Sequence, residues 1–305
     1  MDAPGSLLPE IFARWFAGKG WQPHAHQLDM VRVAREGKSA LLIAPTGAGK
    51  TLAGFLPSLI ELAAQPRPKP GAAVSGLHTL YISPLKALTV DIARNLDAPV
   101  SEMGLKIRTE TRTGDTPQNR RARQRLDPPD MLLTTPESLA LLLSYIEAAK
   151  IFANLQTVVI DELHALADTK RGQLLALGLS RLATLAPRAR FVGLSATVAD
   201  PPALAEWLNF PGRTVELVKG RAGAEPEIKT LVPEGRLPWG GRMATYSVEE
   251  IYNAVRGHRT TLVFVNTRAQ AELIFQGLWR LNEENLPIAL HHGSLAVEQR
   301  RKVEA

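Results

Sequence analysis

The run Ser39-Ala-Leu-Leu-Ile43 leads into Ala44-Pro-Thr-Gly-Ala-Gly-Lys50-Thr51, and Leu52-Ala-Gly-Phe-Leu56 follows. A short apolar run, a glycine-rich turn and a helical pattern in succession predict a strand, a phosphate-holding loop and a helix. Glycines at 47 and 49 let backbone N–H groups approach phosphate oxygens, and the helix N-terminus adds positive potential. On this reading the backbone of Thr46, Gly47, Ala48 and Gly49 lines the anion. Lys50 reaches the β- and γ-phosphates, and the Thr51 hydroxyl ligates Mg2+. Ala44 stands where the G-x-x-x-x-G-K-[ST] pattern has its first glycine.

Working outward, short apolar runs alternate with helical patterns. Strands are expected at Ser39–Ala44, Thr79–Ser83, Lys106–Thr111, Asp130–Thr134, Thr157–Asp161 and Arg190–Leu194. Helices are expected at Leu52–Ala64 and from about Leu85 to Glu102. Continuous apolar strands with helices between them imply an α/β fold, a parallel sheet covered on both faces. Gln65–Gly76 and Pro211–Gly241 are rich in Gly and Pro and read as loops, the second with strand-like pieces at Ile228–Val232. Past it the pattern restarts: helix at Val248–Arg256, strand at Thr261–Val265, helix at Arg268–Leu281, strand at Leu286–Leu290. The expected division is therefore a first domain over 1–210, a connection over 211–245 and a second domain beginning over 246–305.

Composition narrows the class. The 305 residues are 45% hydrophobic and 22% charged, ordinary for a globular chain. The longest run without Asp, Glu, Lys or Arg is Pro70–Leu85, too short and too interrupted to span a membrane. Asp2 and Glu10 flank no apolar core, so no signal peptide is expected. There are no cysteines, which removes disulfides and thiolate metal sites and fits a cytoplasmic location. The net charge is +6, with 25 Arg against 11 Lys, compatible with phosphate-rich partners.

A nucleotide site also needs an acid at a strand end, and Thr157-Val-Val-Ile-Asp161-Glu162-Leu-His164 supplies it. Asp161 emerges at the strand's carboxyl end, where open α/β sheets bind ligands, and would hold Mg2+ through water. Glu162 would orient and deprotonate the attacking water. His164 either couples nucleotide state to other motifs or caps the next helix.

Taken in order, PTGAGKT, DELH and Ser195-Ala196-Thr197 resemble the motif set of superfamily 2 helicases. Gln27, in Trp21-Gln-Pro-His-Ala-His-Gln27, sits where that superfamily places an adenine-reading glutamine. Ser83-Pro-Leu-Lys-Ala-Leu88 resembles motif Ia, Thr113-Gly-Asp-Thr116 motif Ib, Thr134-Thr-Pro-Glu-Ser-Leu139 motif Ic and Thr261–Arg268 motif IV. The strings PLKAL, TRTGDTP, PPDMLLTTPESLALLL, VIDELHAL and KRGQLLALGLSRL are similar to the Lhr (large helicase-related) branch, most of all its bacterial ligase-associated DEXH-box type. The nearest rival is an RNA helicase of the DEAD-box kind, against which DELH and these strings argue.

The resemblance implies a RecA-like ATP-binding domain followed by the beginning of a second RecA-like domain. It implies an ATP- and Mg2+-dependent helicase moving 3′ to 5′ on single-stranded or forked DNA in DNA repair, with a DNA ligase and a nuclease as partners and no membrane. His164, Ser195 and Thr197 become coupling residues. Lys86, Thr113, Gly114, Thr135 and Arg268 become nucleic-acid contacts, made to phosphates and thus independent of sequence. Arg120, Arg121, Arg123 and Arg125 are either a further phosphate contact or a solvated helix face. Trp15 and Trp21 are expected to pack at the adenine end. In the family, motifs V and VI, with an arginine finger, lie beyond the position of Ala305. A chain without them is expected to hold ATP and nucleic acid with little or no hydrolysis. His291-His292 reads as part of a loop rather than a metal site.

Overall fold

The computed structural model describes residues 7–65, 76–196, 198–210, 214–221, 227–232 and 245–304. In chain order the elements are α1 (Glu10–Gly18), α2 (Ala25–Arg35), β1 (Ser39–Ile43), α3 (Lys50–Ala64), β2 (Thr79–Ile82), α4 (Lys86–Glu102) and β3 (Thr109–Arg112). There follow α5 (Gln118–Leu126), β4 (Met131–Thr134), α6 (Pro136–Ser144), α7 (Ala148–Phe152), β5 (Thr157–Ile160), α8 (Leu163–Leu166), α9 (Lys170–Leu185) and β6 (Arg190–Ser195). The last are α10 (Pro201–Trp207), β7 (Val215–Lys219), α11 (Val248–Arg256), α12 (Arg268–Leu281) and α13 (Val297–Glu304).

All seven strands are parallel, in the order β3-β4-β2-β5-β6-β1-β7. The inner strands are buried on both faces, which is why they read as unbroken apolar runs. Alternate residues feed two cores. Tyr81, Leu133, Val159 and Leu194 join Phe12 and Phe55 on one face. Leu80, Leu132, Val158 and Phe191 join Leu142 and Leu179 on the other. Caps set helix starts locally: Thr135 accepts from the Ser138 amide ahead of Pro136, and Thr169 from the Gly172 amide.

The sheet gains one strand that composition hides. β7 lies inside the stretch read as a connection, yet it pairs with β1 along its whole length. As an edge strand it exposes Leu217 and Lys219 beside buried Val218, with Glu216 half-buried, so it lacks the unbroken apolar run of the inner strands. Lys106–Ile107 precede β3 rather than opening it. No strand forms at Ile228–Val232, where Ile228 and Val232 are exposed.

The chain divides into two compact units, Met1–Ala224 and Glu225–Ala305. In the second unit, α11 and α12 bury Val248, Tyr252, Ile274 and Leu278 against each other. The runs Thr261–Val265 and Leu286–Leu290 are not strands here: among the described residues no ladder partner pairs with either, and Leu262 and Phe264 stand exposed. Pro66–Gly71, Thr197 and most of 211–241 lie outside the described residues. No helix among those described is long and apolar enough to cross a membrane.

Candidate functional site

Because every strand runs the same way, the motif residues collect at one edge of the sheet. The order of strands also sorts them: β1, β6 and β5 lie together, and β2, β4 and β3 form the other flank.

At the end of β1 the chain turns through Gly47 and Gly49, with φ of 82° and 74°, a left-handed backbone that glycine adopts without strain. Gly49 is also the N-cap of α3, and a β-carbon there would come within 2.8 Å of Gln27 Nε2. The N–H groups of the first helical turn have no intrahelical partners and make an anion site. Lys50 is buried and folded back, its ammonium donating to the Ala44 carbonyl at 3.0 Å. The departure at Ala44 has a structural counterpart. Gly220, at the end of β7, donates its amide to Ile43 at 2.8 Å, and a β-carbon on it would fall 2.5 Å from the Ala44 methyl.

Helix α2 braces the same loop. His26 is buried, its Nε2 bonded to the Ala48 carbonyl at 2.9 Å, so that nitrogen carries the proton. Burial holds the His26 imidazole below its ordinary pKa. Gln27 is also buried, and both ends of its amide are engaged: Oε1 accepts from the His24 amide at 2.9 Å, and Nε2 donates to the Gly49 carbonyl at 3.4 Å. Beside the loop a cavity of about 350 Å³ is lined by Trp15, Trp21, Thr51, Leu52, Leu96 and Glu102, among others. Trp15 and Trp21 meet edge to face at 5.8 Å, and Trp15 Nε1 and Lys19 both donate to Glu102.

At the end of β5, Asp161 is 5% exposed, and its Oδ1 accepts from the Glu162 amide at 2.9 Å. Burial raises its pKa and the Glu162 charge adds to the effect, while the neighbouring Tyr81 hydroxyl and Lys50 oppose it. Glu162 itself is in the left-handed region, φ 47° and ψ 44°, a strained conformation for a non-glycine residue. From it a line of contacts crosses to β6: Glu162 Oε2 lies 3.5 Å from His164 Nε2, and His164 Nδ1 lies 3.0 Å from Ser195 Oγ. Two of the three expected coupling residues thus touch.

On the other flank, Lys86 at the start of α4 pairs with Asp115 at 2.9 Å. Its ammonium also lies 2.9 Å from where a β-carbon on Gly114 would be, so Lys86, Thr113 and Gly114 form one cluster. The Thr113 hydroxyl accepts from the Asp115 amide at 3.3 Å, and the Thr135 hydroxyl caps α6, so both threonines are held within their own turns. Arg268 belongs to the second unit, where it bonds Ser294. The basic run on α5 is tied to protein groups. Arg120 and Arg123 pair with Glu110, Arg125 lies over the Tyr145 ring, and Arg121 donates to the Thr113 and Gly114 carbonyls. His292 bonds Glu272 at 2.9 Å.

Sequence reasoning had singled out neither His26, Tyr81, Asp115 nor Gly220. His26 and Asp115 had a signal, their places within the Trp21–Gln27 and Thr113–Thr116 strings. As for metal, the Thr51 hydroxyl and the Asp161 carboxylate are hard oxygen donors of the kind Mg2+ takes together with phosphate and water. Among the described residues no group of three or more His, Cys, Asp or Glu could hold an ion alone. The donor set therefore fits a metal that arrives with a nucleotide.

Comparison with known proteins gives four results. Residues 24–204 match the DEAD/DEAH box helicase family model. The chain is 38% identical over 317 residues to the Lhr helicase/uracil glycosylase of Escherichia coli, covering 92% of this chain and 20% of that protein. It is 35% identical over 315 residues to the ATP-dependent helicase Lhr-Core of Methanocaldococcus jannaschii, covering 98% of this chain and 36% of that protein. A solved structure, Mycobacterium smegmatis helicase Lhr bound to ssDNA and AMP-PNP, superposes with a TM-score of 0.80 at 35% identity, over 99% of this chain and 40% of that one. The chain thus spans about a fifth to a third of the length of these curated relatives.

Proposed function

We propose, from the premise that the chain belongs to the DEAD/DEAH box helicase family and matches its Lhr helicases, that it binds and hydrolyses ATP to move on single-stranded DNA. The single observation that carries the reading is the meeting of the phosphate loop after β1 with Asp161 and Glu162 after β5 at one edge of the sheet. The relatives named as ATP-dependent helicases, and the neighbour bound to ssDNA and AMP-PNP, support it.

Each residue's role follows from its place. The amides of Gly47 to Thr51 and the Lys50 ammonium take the phosphates, for which Lys50 must leave the Ala44 carbonyl. Thr51 and Asp161 hold Mg2+, which screens phosphate charge when bound. Glu162 orients and deprotonates the water, and its strained backbone fixes where that carboxylate stands. His164 passes the state of Glu162 to Ser195 at the end of β6. Gln27 braces the loop through Gly49, and reading adenine requires it to release one of its two bonds. Trp15 and Trp21 line the cavity at the base end.

Lys86, Thr113, Gly114 and Thr135 are the nucleic-acid phosphate contacts of the first unit, and Arg268 is one within the second. Binding is then independent of sequence and weakens with salt. The finer reading, 3′ to 5′ movement in cytoplasmic DNA repair alongside a ligase and a nuclease, rests on the strings shared with the ligase-associated branch. The domain division 1–210, 211–245 and 246–305 belongs to the same proposal, with β7 joined to the first part.

Steady-state ATP hydrolysis by the 305-residue chain, with and without single-stranded DNA, tests the reading. Turnover is expected to be slight, and Glu162→Gln should remove what there is while nucleotide affinity is retained. Turnover that survives in Glu162→Gln removes Glu162 as the base.

A further inference from the structure

Tyr81 lies in β2, fully buried, with its ring stacked on Phe55 of α3 at 4.6 Å between centroids. Its hydroxyl is buried and makes no hydrogen bond. For packing alone, phenylalanine would serve, and it would not bury an oxygen without a partner. What lies near that oxygen gives it a use. Tyr81 is in register with Val159 on the neighbouring strand β5, and Asp161 is two residues further along on the same face. The Asp161 carboxyl is the acidic group beside the Tyr81 hydroxyl, with Glu162 next to it. A tyrosine hydroxyl is protonated near neutral pH and so has a proton to donate.

We propose that Tyr81 is a positioning residue for the site: its hydroxyl donates to the Asp161 carboxylate and fixes which carboxylate oxygen is left for Mg2+. The inference rests on the reading of Asp161 as the metal-holding acid. An outer hydrogen bond of this kind orients a metal ligand and raises its share of the affinity. It also explains why the hydroxyl is without a partner here. Asp161 Oδ1 is taken by the Glu162 amide, and the bond to Tyr81 forms when the carboxylate turns to a bound nucleotide. Phe55 holds the phenol in place from the far side, so the donor waits in a fixed position.

The test is the Mg2+ dependence of binding a fluorescent ATP analogue to the full chain, comparing wild type with Tyr81→Phe, Asp161→Asn and the double variant. Tyr81→Phe removes one oxygen and keeps the stack on Phe55. It is expected to raise the half-saturating Mg2+ concentration roughly tenfold. Binding in the presence of a chelator should stay the same, and the melting temperature should not fall. The double variant should be no worse than Asp161→Asn alone. If Asp161→Asn shifts the Mg2+ curve and Tyr81→Phe does not, the positioning role is overturned and the reading of Asp161 stands. If neither shifts it, both fail. If Tyr81→Phe weakens binding equally with and without Mg2+, the hydroxyl acts on the loop as a whole and the proposal fails.

Discussion

At the amino edge of the sheet, Arg190 donates to the Ala34 carbonyl at 2.6 Å, to Thr157 Oγ1 at 2.7 Å and to Glu61 at 2.7 Å, while His78 reaches both Glu61 and Thr79. At the carboxyl edge of the same strands, Lys50 bonds its own loop, Tyr81 bonds nothing and Glu162 sits in a strained backbone. Both edges bury polar groups, and burying a polar group costs free energy unless it is bonded. Around Arg190 and His78 the amino edge satisfies its groups with protein and so holds strands to helices, although Thr109 Oγ1 at the start of β3 is buried without a partner. The carboxyl edge leaves its groups short of partners, which is the arrangement a site needs if a ligand is to complete it.

The contrast can be broken first at the amino edge. Glu61→Ala leaves the Arg190 charge, with a side chain only 10% exposed, without its carboxylate. A loss of about 2–3 kcal/mol is expected, below the ~3–5 kcal/mol for a fully buried pair because other acceptors remain and solvent reaches Glu61. Urea denaturation measures it, and nucleotide affinity of the folded protein should not change. A variant as stable as wild type would mean that the network is not structural.

A smaller effect tests the seam between the edges' two behaviours. Gly220→Ala places a methyl group 2.5 Å from that of Ala44, at the root of the phosphate loop. Overpacking of this kind costs about 1–3 kcal/mol. Thermal melting should show the loss, and adding Ala44→Gly should restore most of it. Without restoration, the pairing of these two positions is not what sets the first residue of the loop.

The smallest effect is one of pH. Burial holds His78 and His26 below their ordinary pKa of 6.5, so both fold as neutral imidazoles. Their contribution is complete above pH 6.5, where the unfolded chain is also neutral. It is lost as pH falls from 6.5 towards the lowered folded values, because the unfolded state then binds more protons. Denaturation midpoints should drop between pH 7.5 and 5.5, and less steeply in His78→Gln. An equal slope in that variant would remove His78 from the account.

Much of the first unit was legible because its features are local. Buried parallel strands read as apolar runs, and the loop and DELH carry their chemistry within eight and four residues. Strand β7 was not legible. Its Glu216 is held by Arg32 and Lys38, partners 184 and 178 residues away, so its polar residues looked like those of a linker. The same holds for the α5 arginines, whose partners Glu110 and Tyr145 lie on other elements. Gln27 could be placed from the motif, but not the two bonds that occupy its amide. Tyr81 looked like any core aromatic in a strand. Thr261–Val265 and Leu286–Leu290 show the converse: the residues of a strand do not make one without a neighbour to pair with.

The most direct measurement is an equilibrium titration of the chain with a fluorescent ATP analogue in Mg2+, beside Lys50→Ala. The account predicts saturable binding that falls by at least ~10-fold in Lys50→Ala, since the ammonium trades the Ala44 carbonyl for phosphate. Equal affinity in the two proteins would contradict it, and would mean that the loop after β1 is a turn of the fold and not the place where a nucleotide binds.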